Sequence, residues 1–134
     1  MIENNPELLS MRSQRLEAIS SMTDADLEHR FSYAAQLSGQ YFSERDCVRE
    51  ILHLWLCWWR DILLLGQGAK EYIQNVEFLE TLSQQAEKLT LTQQMHVVRS
   101  VSRTLDVLEQ NVNPRLALEV MMLALPESER YPKH

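Results

Sequence analysis

Apolar residues recur at intervals of three and four along most of the chain, strand-like alternation is absent, and only three glycines and four prolines interrupt the pattern. This periodicity predicts an all-α protein, a bundle of five to six helices. The first is expected from about Pro6 to Ser20, with Leu8, Leu9, Leu16 and Ile19 on one side. Thr23, backed by Asp24 and Asp26, opens a second to about Gly39, with a stripe of Leu27, Phe31, Ala34, Ala35 and Leu37. Ser43, with Glu44 and Asp46 behind it, opens a long third helix that Gly66 terminates. A loop then leads to Asn75, which caps a fourth helix facing inward through Phe78, Leu79, Leu82, Ala86 and Leu89. Thr92 opens the fifth, where Met95, Val98, Val101, Leu105 and Leu108 oppose a polar face of Arg99, Arg103, Asp106 and Gln110.

Two segments exceed the amphipathic norm. Twelve of the fifteen residues from Ile51 to Leu65 are apolar, Trp55, Trp58 and Trp59 among them, so the third helix is expected to run through the centre with neighbours on most sides. The aromatic rings then belong to the core; the alternative is a stacking surface for bases or a peptide. Arg60 and Asp61 interrupt the run and must reach a polar edge or find partners, because an unpaired buried charge costs several kcal/mol. The last segment, after the link Asn111-Val-Asn, starts with Asn113 as N-cap and Pro114 at the first helical position, and stops at Pro126. Its apolar residues, Leu116 and Leu118 among them, cover most of the wheel, with only Arg115, Glu119 and Met122 left on a narrow stripe. A helix so apolar belongs in a core or between partners. Residues 1–22 read as the end of a preceding region or the first helix of the bundle, 23–126 as the bundle and 127–134 as a polar tail.

At 134 residues the chain suits one domain able to bury roughly two thirds of its unfolded surface. A net charge of −6 disfavours phosphate neutralisation, so no direct nucleic-acid binding is expected. The segment from Ile51 to Leu65 is shorter than the roughly twenty apolar residues that span a bilayer, and the acidic start does not read as a secretory signal. Cys47 and Cys57 lie in one expected helix at a spacing that suits neither zinc nor a redox pair, which fits free thiols and a cytoplasmic setting. Chemistry has thin support. Glu50-Ile-Leu-His53 has the spacing that di-iron bundles use, leaving a metal-binding or enzymatic bundle as an alternative, but such a centre needs a second copy and two further glutamates. Asp26-Leu-Glu-His29 shares the spacing on a polar face. No nucleophile constellation or phosphate-cradling loop is present, so no catalytic residue, cofactor or metal is assigned. A free-standing peptide-binding module is the other alternative.

Trp59-Arg-Asp-Ile-Leu-Leu-Leu65 and Gln110-Asn-Val-Asn-Pro-Arg-Leu-Ala-Leu-Glu119 resemble the C-terminal domain of the delta prime member of the bacterial DNA polymerase III clamp loader, over roughly Ser43 to Pro126. Pro6-Glu-Leu-Leu with Arg12 and Arg15 is similar to the last helix of the lid domain or the start of the collar in that family. The resemblance implies an oligomerisation domain that joins four equivalent domains, of the gamma or tau and delta subunits, in a pentameric collar. It also implies that ATPase-type modules precede it in the intact protein. The packing that the resemblance implies has Leu116 and Leu118 inward, and the implied interface is the stripe Arg115, Glu119 and Met122, with Arg99 and Arg103 on the preceding helix.

Overall fold

The structure, a computed structural model, describes residues 6–110 and 113–127. Asn111 and Val112 of the expected link, and residues 128–134 of the expected tail, lie outside the described residues. Six α-helices follow one another: α1 (Pro6–Met22), α2 (Leu27–Ser43), α3 (Arg45–Gly66), α4 (Leu79–Lys88), α5 (Leu91–Leu108) and α6 (Pro114–Leu123). Two single 3-10 turns, Lys70–Tyr72 and Val76–Phe78, lie between α3 and α4, and no strand occurs among the described residues.

α3 is the axis of the bundle, packed by α1, α2, α4 and α5, while α6 lies against α2 and α5. Trp55, Trp58, Trp59, Leu52 and Ile62 on α3 are fully buried, together with Leu16, Ile19, Leu82, Val97, Val101 and Leu118 from the surrounding helices. The indole N–H groups of two tryptophans find side-chain acceptors: Trp55 donates to the partly buried Tyr33 Oη and Trp58 to the buried Gln85 Oε1, each at 2.9 Å. No tryptophan face is open to a base or a peptide, so the stacking-surface alternative loses its rings.

Several boundaries differ from the pattern reading, and each difference has a local cause. Asp26, not Thr23, caps α2 through a bond from the His29 backbone N–H at 2.9 Å, while the Thr23 N–H closes the last turn of α1 on Ser20. Ser43 belongs to the end of α2, where its hydroxyl donates to Gln40 O, and a break at Glu44 separates α2 from α3. α3 ends at Gly66 as expected, but the left-handed residue that reverses the chain is Gly68, with φ +79°; Ala69 N–H reaches Leu64 O and Gly68 N–H reaches Leu65 O, the paired bonds of a Schellman end. Gly66 serves close approach instead, since a Cβ there would stand 2.9 Å from Gln94 Oε1 of α5. α5 starts earlier than Thr92 implies, because Thr90 and Gln93 form a reciprocal capping box. Its buried stripe is Gln94, Val97, Val101, Thr104 and Leu108, turned from the Met95, Val98 and Leu105 register. The buried polar groups permit this turn, for Gln94 donates to Ala86 O and Leu89 O and Thr104 to Ser100 O. On α1 only Leu16 and Ile19 reach the core, whereas Leu8 and Leu9 are exposed. Arg12 and Arg15, farther along the same helix, bond to Asn75 and Glu77 and to Cys47 and Glu50 respectively.

Candidate interface on the last helix

Asn113 begins α6 by accepting from the backbone N–H groups of Arg115 and Leu116 at 3.0 and 3.3 Å, with Pro114 next at a position whose missing donor would have been an orphan anyway. The helix then buries Leu118, Met121 and Met122, followed by Leu125 beyond its end. Met122 is therefore a core residue, 0% exposed, and not part of an outward stripe with Arg115 and Glu119. Leu116 is corrected in the opposite sense: it is 59% exposed and does not point inward. The physical reason is that a helix apolar on nearly every side has no polar face to fix its rotation. The packing of α2 and α5 against it decides which apolar residues are covered.

What remains outside is a ridge of Leu116, Val120 and Leu123, all more than half exposed, at the i, i+4, i+7 spacing of one helix face. Arg115 and Glu119 flank it, paired with each other at 3.3 Å along the helix. Between this ridge and α5 runs a furrow of about 270 Å³ walled by Ser100, Arg103 and Val107 on one side and Leu116, Ala117 and Val120 on the other. Arg99 lies one turn before Arg103 on α5, and neither makes an ion pair among the described residues. Val107, Val120 and Leu123 are the members that the pattern reading missed. For Val120 and Leu123 the signal is the Arg115–Glu119 pair, an i,i+4 contact that belongs on a solvent-facing edge; nothing local marks Val107 on α5.

The other constellations are not brought together as ligand sets. Glu50 is exposed beside Arg15, at 3.7 Å, and among the described residues no group of three or more His, Cys, Asp or Glu could hold a metal. Asp26 is engaged with His29 at a helix start. Cys47 and Cys57 are free thiols, and Cys47 Sγ accepts from Arg15 Nη2 at 3.0 Å. No described helix is long and apolar enough to cross a membrane. Asp61 is buried by partners of its own: its carboxylate accepts from the Gln74 and Asn75 backbone N–H groups and from the Asn75 side-chain amide at 2.9 to 3.0 Å. Arg12 in turn donates to Asn75, which is thus a bridge between α1 and α3 and not a side-chain cap.

Among known proteins, the family model described as DNA polymerase III, delta subunit, C terminal matches residues 6–127. No curated protein and no solved structure matches the chain.

Proposed function

The chain belongs to the family formed by the C-terminal domain of the DNA polymerase III delta subunit, a clamp-loader family, and from that premise we propose that it is a non-catalytic oligomerisation domain of the collar type, holding its parent protein in the clamp-loader ring. The observation that carries the reading is the ridge of Leu116, Val120 and Leu123 on α6, outside a core that is complete without it. Exposed apolar surface of this kind, rimmed by charge, marks a protein interface. The partners are the gamma or tau and delta subunits. Within the ring the assignment is delta prime, supported by the motif that runs through Asn113-Pro-Arg-Leu-Ala-Leu-Glu119 and by Trp59-Arg-Asp-Ile62. The acidic balance of the chain argues against contact with DNA phosphates, and its free thiols fit the cytoplasm.

Mixing the chain with partner subunits and following the complex by light scattering tests this. The chain should enter the complex when delta prime is the member left out, and Leu116→Asp or Leu123→Asp should reduce its incorporation tenfold or more with unchanged circular dichroism. Full incorporation of both variants would remove the ridge from the interface. Incorporation in place of delta, and not of delta prime, would reverse the assignment within the ring.

A further inference from the structure

We propose that the furrow between α5 and α6 receives one amphipathic helix of a neighbouring, non-identical subunit, its apolar stripe on Val107, Ala117 and Val120 and its acidic side chains against Arg99 and Arg103. The inference rests on the collar reading and adds the chemistry of the occupant. The furrow has an apolar wall on each side, formed by two helices in direct contact, and a third helix seats a ridge of side chains in such a groove. Charge selects the occupant further. Arg12, Arg15, Arg49 and Arg115 each have a carboxylate partner within the chain, whereas Arg103 in the furrow wall and Arg99 one turn before it, like Arg45 and Arg60 on α3, have no ion pair among the described residues. In a chain of net charge −6, an unpaired arginine in the wall of an apolar groove, with a second one turn away on the same helix, is complementary to an acidic helix edge.

A second copy of this chain fits less well. Two-fold pairing through the same furrow would present the same two arginines from both sides, while Glu119 of the flanking α6 is already committed to Arg115. Two bodies of charge −6 would also repel.

The experiment combines a photo-cross-linking residue at Val107 or Val120 with charge variants, in complexes of the chain with gamma or tau and delta. The cross-linked segment, read by mass spectrometry, should be a helix of another subunit with apolar residues three and four apart and acids along one edge. Arg99→Glu combined with Arg103→Glu should weaken association tenfold or more and flatten its salt dependence, while the double lysine variant should keep most of the affinity. Circular dichroism establishes that the variants are folded. Cross-linking to a second copy, or to a segment without acidic residues, overturns the proposal, as does wild-type affinity in the double reversal. If that affinity persists while Leu116→Asp still breaks the complex, the collar reading stands and the acidic-helix inference falls. If the unaltered chain joins no complex with these subunits, both fall.

Discussion

Asp61 shows what a single buried carboxylate does in this fold. It lies in α3 one residue before Ile62, is 1% exposed, and its two oxygens accept three N–H donors from Gln74 and Asn75, which ties the segment after α3 back onto the helix. Asp61→Asn would set an amide donor against at least one of those N–H groups. Loss of a hydrogen bond to a charged group costs about 1.5–3 kcal/mol, so urea denaturation should show a stability loss of that size as a lowered midpoint with unchanged slope. Glu77, near the end of the same segment, answers to pH. Burial pulls its carboxyl upward, but the bonds from its own backbone N–H and from Arg12, with the Arg12 charge 2.7 Å away, hold it below the ordinary carboxylate value. A carboxyl lowered in the folded state adds stability that is present above its unfolded pKa and lost as pH falls through the folded one. Because both side chains are more than a third exposed, the gain is small, about 0.2–1 kcal/mol. The stability difference between the parent chain and Glu77→Gln should therefore be present at pH 7, begin to fall as the pH drops below the ordinary glutamate value of about 4.3, and be lost as it passes through the lowered folded value.

At the scale of the element, α6 depends on its first residue. Because Pro114 has no N–H, three amides open the helix; Asn113 satisfies two of them through its side chain, and ten residues give α6 little intrinsic stability of its own. Asn113→Ala should cost about 1 kcal/mol in thermal denaturation, and Asn113→Asp should be tolerated because a carboxylate accepts the same bonds and suits the helix dipole. Equal damage from both would mean that the amide donors of Asn113 matter in their own right. The other helix starts carry a similar logic with different residues. Asp26 and the Thr90–Gln93 box cap α2 and α5 through side chains, while Glu44 before α3 makes no side-chain cap bond; α3 is held by burial along its length.

Across the whole molecule, Arg30 joins parts of the chain that are far apart in sequence. Its guanidinium, on a residue only 5% exposed, donates to Met22 O and Thr23 O at the α1–α2 corner and to Pro126 O just beyond α6. Burial pushes the Arg30 guanidinium down from its ordinary value, with Asp24 and Asp26 opposing the shift. Arg30→Met should lower stability by about 1.5–3 kcal/mol, and amide exchange near Leu125 should accelerate more than exchange in α3, because the bond to Pro126 closes the far end of α6. Uniform acceleration throughout the bundle would show that Arg30 supports the fold globally and not that corner. Such a clamp helps to hold α6 in the rotation that leaves Leu116, Val120 and Leu123 exposed.

The all-α class and the central place of the Trp-rich helix were legible in the sequence, because periodicity and bulk apolar content are local properties that any compact fold must honour. So was the start of α6, since a cap is a bond between residues two and three apart. The register of α5, the rotation of α6 and the fate of Asp61 were not. Gln94 and Thr104 lie off the apolar stripe that the pattern gives α5, and are buried because Ala86 O, Leu89 O and Ser100 O accept from them; Asp61 reads as a burial problem until Gln74 and Asn75 bring it three donors. On α6 the wheel held almost no polar information. Only the packing of α2 and α5 could decide that Met122 turns inward and Leu116 outward, because an almost uniformly apolar helix gains similar burial energy in several rotations and its neighbours select among them.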